Sequence, residues 1–330
     1  MILELIVSHK NCLDGHSCVA IKQGISSLKC NSKLNIYSWP IFINPSENIG
    51  TSLLFKIIIW LLSWFITIQI VFTDITPPNI IDIVMKYKYI KFELYDHHHT
   101  QKSLVSELEK LNLSNISITF NSESKFGAVK MLVDKYKHLL TKEQILFFTK
   151  IGACDMWNKE EFPDFIYFLF GYYNYCDEFL SKKIHNPLEL WKISYFGSDF
   201  INSNINSGKK YYNEVEIILN KWIEKNIDKI IINYKDNCKI LFFNNSEFIE
   251  PYNISINMTS ILSYYLDNNR KWNINVLAIY KSSLSDYVSL RNIGSEDYDV
   301  STIAKLCDGG GHKKASSCKL NKLKELFKII

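Results

Sequence analysis

The sequence predicts a two-domain α/β protein, and three observations carry that reading. Residues 1–155 alternate short apolar strands with helical segments, the pattern of a largely parallel sheet. Residues 160–235 are aromatic and helical, and from Cys238 the pattern returns to strands before a glycine run at Gly309-Gly310-Gly311. With 330 residues, the chain is long enough for two separate cores. The expected division is an N-terminal parallel-sheet domain over 1–190, a helical linker over 191–235, and a smaller C-terminal α/β domain over 236–330.

The first strand is read at Ile2–Val7, a run that is apolar except for Glu4 and looks like a buried first strand. It is too short for the apolar core of a secretory signal, so a cytoplasmic protein is expected. Further strands are expected at 34–39, 67–73, 89–95 and 115–120, with helices at Asp14–Gly24, Pro78–Lys86, Gln101–Leu111, Ser124–Leu140 and Lys142–Gly152. The apolar stretch from Leu53 to Phe72 is long enough to nominate a membrane span. The competing reading, adopted here, is a buried helix over 51–65 and a buried strand over 67–73, because that strand is β-branched and runs straight into Asp74. A long helix is expected from Tyr211 to Ile232. Beyond it come strands at 238–243, 273–281 and 287–291, and helices near 256–266 and 300–306.

An apolar fraction of 47% and a charged fraction of 22% describe an ordinary globular chain, not a disordered one. The net charge of +4 is too slight for the basic stripe that follows a nucleic-acid duplex. The eight cysteines are scattered without a C-x-x-C pair, which fits reduced thiols in a cytosol-like compartment.

Four clusters carry chemistry: Ser8-His9-Lys10-Asn11-Cys12-Leu13-Asp14-Gly15, Phe72-Thr73-Asp74, Tyr95-Asp96-His97-His98-His99-Thr100, and Gly152-Ala153-Cys154-Asp155-Met156-Trp157. Singly, each has a bland reading, since an Asp after a strand is usually a turn former or helix cap. Three of them follow predicted strand C-termini, the edge at which open α/β sheets bind ligands. Imidazole, carboxylate and thiol arriving together are what a divalent metal site requires. Phosphoester cleavage needs the phosphate neutralised and water activated at neutral pH, and two adjacent metals sharing a carboxylate do both.

The order H-x-x-C-x-D-G (His9–Gly15), strand-D (Asp74), D-H-H (Asp96–His98), a later Asp155, and G-G-G-H (Gly309–His312) resembles the DHH phosphoesterases that carry the DHH-associated C-terminal domain. That group includes RecJ-type exonucleases, nano-RNA degrading oligoribonucleases, pAp phosphatases and cyclic-dinucleotide phosphodiesterases. The resemblance spans nearly the whole chain and implies hydrolysis of phosphodiester or phosphomonoester bonds in short single-stranded oligonucleotides or nucleotides. It implies two divalent ions, Mn2+ first, with Mg2+, Co2+ and Zn2+ as alternatives. His9 and Asp74 would hold one ion. Asp14, Asp74, His97 and Asp155 would hold the other, with Asp74 bridging. Asp96 would orient His97, and His98 would sit at the scissile phosphate as the catalytic imidazole. Ser289, Arg291, Gly309, Gly310, Gly311 and His312 would bind substrate, the glycines by letting the backbone approach a phosphate and the arginine by its planar fork. They are expected to face the metals across a cleft.

Cys12 departs from the family, which usually has an Asp there to complete the first metal site. A thiolate ligand is softer and favours Zn2+; the alternative is a small residue packed beside the site. Stable duplex binding and membrane contact are not expected, and a homodimer is left open. The rival readings are a nucleotide- or nucleic-acid-binding protein weakened in turnover through Cys12, and a membrane-anchored cyclic-dinucleotide phosphodiesterase using 53–72.

Overall fold

Mostly apolar segments become parallel strands here, and titratable residues gather where β1, β3 and β4 stop. The computed structural model describes residues 1–10, 12–30, 36–44, 47–49, 64–179, 186–234, 238–244, 258–269, 272–280, 286–294 and 298–328. Strands β1 (Ile2–His9), β2 (Ile36–Ile43), β3 (Thr67–Thr73), β4 (Lys91–Asp96) and β5 (Ile116–Phe120) form one sheet in the order β2-β1-β3-β4-β5, with every neighbour parallel. The order reverses between β1 and β3. At such a switch point the connections leave in opposite directions and open a crevice at the strands' C-terminal ends.

Both faces of this sheet are covered. On one, Leu5, Val7, Ile68, Ile70, Phe72, Phe92 and Leu94 pack with Ile80, Ile83 and Val84 of α2 (Ile80–Lys86) and with Val105 and Leu108 of α3 (Lys102–Lys110). On the other lie α1 (Leu13–Cys30) and α4 (Ala128–Tyr136). There the buried Lys22 of α1 reaches Glu4 of β1 at 2.7 Å, and Lys135 of α4 reaches Glu93 of β4 at 3.1 Å. Helix α5 (Lys142–Asp155) opens with a capping box, in which Thr141 accepts from the Gln144 N–H while the Gln144 side chain accepts from the Thr141 N–H.

Helices α6 (Phe165–Phe179), α7 (Pro187–Ser194) and α8 (Gly197–Ile230) lead to the second sheet. Strands β6 (Ile231–Tyr234), β7 (Cys238–Asn244), β8 (Val276–Tyr280), β9 (Tyr287–Asn292), β10 (Gly310–Gly311) and β11 (Ala315–Lys319) take the order β10-β11-β9-β8-β7-β6. Only β7 and β8 pair parallel, so this sheet is mixed. Helices α9 (Met258–Asn268), α10 (Val300–Leu306) and α11 (Leu320–Phe327) complete the chain. Val288 and Leu290 pack with Val300, Ala304, Cys307, Cys318 and Leu323. The expected α/β class is the one observed. The chain divides into two compact units, one of residues 1–165 with 175–203 and the other of 166–174 with 204–330.

Several boundaries differ from the sequence reading, each for a tertiary reason. Strand β2 runs through Pro40 because, among the described residues, it is an edge strand paired with β1, where a missing N–H is tolerated. Helix α1 continues past Gly24, against which the Trp191 ring packs. Helix α4 begins at Ala128 instead of Ser124, since the Gly127 N–H is taken by the Gly152 carbonyl. Helix α8 starts at Gly197, well before Tyr211. The strand expected over 67–73 is present as β3. Of the helix expected over 51–65, residues 51–63 lie outside the described residues, while Trp64 and Phe65 form an exposed turn into β3. Among the described residues, no helix is long and apolar enough to cross a membrane.

Candidate metal centre

The C-terminal ends of β1, β3 and β4 deliver His9, Asp74, and Asp96 with His97 and His98 to the switch-point edge. Asp14 comes from the first turn of α1 and Asp155 from the last residue of α5. These residues, all in the N-terminal unit, converge. His97 is fully buried, and its Nε2 lies 3.1 Å from Asp74 Oδ1, 3.3 Å from Asp155 Oδ2 and 4.0 Å from Asp14 Oδ2. His9 Nδ1 lies 3.7 Å from Asp74 Oδ2, and the Cys12 thiol points to Asp155 Oδ1 at 3.9 Å.

Each carboxylate is held by a different device. Asp14 accepts from the Val129 N–H at 3.3 Å, so the N-terminus of α4 points its amides at this charge. A Cβ on Gly127 would fall 2.3 Å from Asp14 Oδ1, which only glycine avoids. Asp74 has φ 58, a left-handed conformation that costs a non-glycine residue on the order of 1 kcal/mol or more. Its N–H donates to the Tyr95 carbonyl at 2.8 Å, pinning the turn. Asp155 sits at a helix C-terminus, where the helix dipole disfavours an anion.

The electrostatics follow from this crowding. Burial, then Asp74 and Asp155, push Asp14 well above the usual carboxylate range. Burial also pushes Asp155 up, with His97 opposing and Asp74 adding. Asp74 moves the other way: the imidazoles of His9, His97 and His98 outweigh its burial and hold it well below that range. The Cys12 thiol is pushed up by burial and by Asp74, Asp155 and Asp14. Burial pulls His98 down, but Asp96 and Asp74 win and raise it to about 10.

The expected pairing of Asp96 with the His97 ring is displaced by one residue. Asp96 Oδ1 binds His98 Nδ1 at 2.7 Å, and it accepts the backbone N–H groups of His97 at 2.7 Å and His98 at 3.1 Å. The alternating Cβ directions after a strand end turn only one of the two rings toward a given carboxylate. Thr76 donates its hydroxyl to Asp96 Oδ2. The sequence reading missed Thr76 and the α4 N-terminus. A hydroxyl two residues past Asp74 was a findable signal, whereas a backbone amide leaves none in the side-chain sequence.

The residues fit divalent cations. Ligand atoms of His9, Cys12 and Asp74 lie within 4.8 Å of one another, as do those of Asp14, His97 and Asp155. Asp74 Oδ2 is buried and has no hydrogen-bond partner, a costly state for a carboxylate that a cation relieves.

In the C-terminal unit, Ser289 and Arg291 lie on β9 and Gly310 and Gly311 on β10, bridged by β11. Val288, Leu290, Ser316 and Cys318 are buried, so Ser289, Arg291 and Ser317 share the opposite face. Arg291 Nη1 donates to the Leu290 carbonyl at 2.9 Å. Gly309 gives its N–H to Ala304 at 2.8 Å and His312 gives its N–H to Ala315 at 2.7 Å, so both amides serve the turn. Gly311 has φ 136, open only to glycine.

No family model matches the chain, and no curated protein matches it. Among solved structures, it is similar to an uncharacterized protein from Helicobacter pylori G27, with 14% identity, all of both chains covered and a TM-score of 0.39. It is also similar to PggH, a pGpG-specific phosphodiesterase from Vibrio cholerae, with 14% identity, 96% of this chain and 92% of that chain covered, and a TM-score of 0.47.

Proposed function

We propose that this chain is a metal-dependent phosphoesterase of the DHH type, hydrolysing phosphodiester or phosphomonoester bonds in short single-stranded oligonucleotides or nucleotides. One observation carries the reading: three carboxylates place oxygens within 4.0 Å of a single buried imidazole nitrogen at the switch point of a parallel sheet. A fold does not collect like charges there for stability, because each ionised neighbour raises the cost of the next.

Asp14, Asp74, His97 and Asp155 would hold one divalent ion, and His9 and Asp74, with Cys12 beside them, a second. Bound there, the ions would neutralise the substrate phosphate and bring the pKa of water towards neutrality. The protein's part is to hold and move protons around them. Asp96, fixed by Thr76, aligns the His98 ring and favours its protonated form. His98 then donates to the phosphate or to the departing oxygen. Ser289, Arg291 and the Gly309–His312 turn would hold the substrate's phosphate or base, in a C-terminal domain that contributes binding more than chemistry.

The test is product analysis with Mn2+ on a panel of pAp, linear and cyclic dinucleotides, and short RNA and DNA oligomers. Release of mononucleotide or phosphate that chelation abolishes is the expected result. No turnover of any member with Mn2+, Mg2+, Co2+ or Zn2+ would refute the reading.

A further inference from the structure

We propose that Cys12 is a metal ligand and that it divides the centre into two unlike positions. One is zinc-selective, held by His9, Cys12 and Asp74. The other is hard, held by Asp14, His97 and Asp155, and takes Mn2+ or Mg2+. This deepens the phosphoesterase reading and rests on its metal centre.

The two donor sets adjoin one another and differ in kind. Ligand atoms of His9, Cys12 and Asp74 lie within 4.8 Å of one another and comprise nitrogen, sulfur and oxygen. Those of Asp14, His97 and Asp155 meet the same limit with one nitrogen and carboxylate oxygens only. Asp74 faces both. Its Oδ1 lies 3.1 Å from His97 Nε2, and its Oδ2 lies 3.7 Å from His9 Nδ1.

A second observation points to a ligand in the first set. Asp74 is 1% exposed, its Oδ2 has no hydrogen-bond partner, and 3.7 Å from His9 Nδ1 is too long for one. His9 Nδ1 is likewise buried without a partner. Zinc bonds of about 2.3 Å to sulfur and about 2.0–2.1 Å to nitrogen or oxygen would require these atoms to draw in by on the order of an ångström. Cys12 also differs from its neighbours Cys18 and Cys154. Those two are buried, as packing cysteines usually are, whereas Cys12 is only half-buried.

The chemistry then decides occupancy. A thiolate and an imidazole bind Zn2+ well ahead of Mn2+ in the divalent series, and a set dominated by carboxylates loses much of that preference. Where a carboxylate would make both positions hard, sulfur at residue 12 makes them unequal.

The experiment uses the full-length protein, stripped of metal and titrated with Co2+. A thiolate-to-cobalt charge-transfer band in the near ultraviolet is expected. It should be lost in both Cys12→Ser and Cys12→Asp while the variants keep the wild-type far-ultraviolet circular dichroism. Equilibration with equal Zn2+ and Mn2+, followed by desalting, should leave a higher ratio of zinc to manganese in the wild-type chain than in Cys12→Asp. If the variants fail to fold, alkylation of the wild-type thiols mapped by mass spectrometry serves instead: Zn2+ should protect Cys12 and Mn2+ should not. Absence of the band in wild type, its survival in Cys12→Ser, or equal protection by both metals overturns the proposal. Neither readout uses substrate. A cobalt band without hydrolysis of any phosphoester would sink the proposed function alone, and hydrolysis without the band would sink only the division of the centre.

Discussion

In the N-terminal unit the residues at the strand ends carry costs that the protein itself does not relieve. In the C-terminal unit the motif residues are nearly all accounted for by local folding. Asp74 is buried, left-handed at φ 58, and has one oxygen without a partner. Burial and mutual repulsion push Asp14 and Asp155 up. By contrast, Gly309 and His312 spend their N–H groups on Ala304 and Ala315, and the Ser316 hydroxyl donates to the His312 carbonyl at 2.8 Å. A polar group with an unmet cost asks for a ligand, whereas a satisfied turn explains itself. The two regions therefore call for different tests.

The largest effect should come from Asp74→Ala. It removes the one carboxylate that faces both donor sets, so metal content and metal-dependent hydrolysis should both fall to background. Elemental analysis and the phosphoester assay check this. Near-normal activity would mean that the crowded carboxylates serve the fold after all.

Next is a control under α1 and α4 on the same sheet, where buried charges are paired. Lys22 Nζ lies 2.7 Å from Glu4, 3.5 Å from Glu93 and 3.1 Å from the Tyr136 hydroxyl. Lys22→Met strands Glu4 and should cost about 3–5 kcal/mol in denaturant unfolding without altering metal content. Burial raises Glu93, but Lys22 and Lys135 hold it below its ordinary value of 4.5. Its contribution is therefore present above that pH and is lost as pH falls through the lowered folded value. Burial lowers Lys22, but Glu4 and Glu93 hold it above its ordinary 10.5, so its contribution is present below that pH and is lost in strong alkali. The contribution of this charge cluster should be flat between these limits, and Lys22→Met should flatten its acid limb. Metal removal supplies the complement. Chelation should lower stability by about 2.7 kcal/mol for each ion lost, relative to a hundredfold excess over its dissociation constant. It should do so in wild type and Lys22→Met alike, but not in Asp74→Ala.

What could be read in the sequence follows the same division. Strands β1, β3 and β4 are mostly apolar up to their last residues, so His9, Asp74 and Asp96 announced themselves where that character stops. Asp155, at the end of a helix, was placed by resemblance and not by pattern. Pro40 and Gly24 misled because local breakers yield to context, an edge strand in one case and a packed Trp191 in the other. Whether Asp96 holds His97 or His98 is a matter of rotamer and loop geometry, to which residue order is blind. The glycine run looked like a phosphate cradle, yet the same spelling also builds the β10–β11 turn.

Gly311→Ala probes that turn. A Cβ there would lie 2.6 Å from the Ala315 carbonyl oxygen, at φ 136. A destabilisation of about 1–3 kcal/mol is expected, measured by urea unfolding. Loss of substrate affinity in this variant with unchanged stability would promote the turn from scaffold to binding element.

The smallest effect, and the sharpest test of the contrast, belongs to Arg291. It is half-buried on the face of β9 opposite the core, and its backbone pairs with Ala315 across the sheet. Its Nη1 donates at 2.9 Å to the carbonyl of its own neighbour, Leu290, a contact that constrains the side chain more than it stabilises the fold. Truncation should therefore leave unfolding nearly unchanged. If the guanidinium meets the substrate's phosphate, one charge-assisted hydrogen bond is lost, about 1.5 kcal/mol or roughly tenfold in KM. Because the contact is made to bound substrate and transition state alike, kcat should hold. Arg291→Lys keeps the charge but not the planar fork, so it should recover only part of the affinity. An unchanged KM for every phosphate substrate in both variants would leave substrate choice to the N-terminal unit. A fall in kcat at constant KM would instead make Arg291 part of the chemistry, and the contrast between a reacting unit and a binding unit would no longer hold.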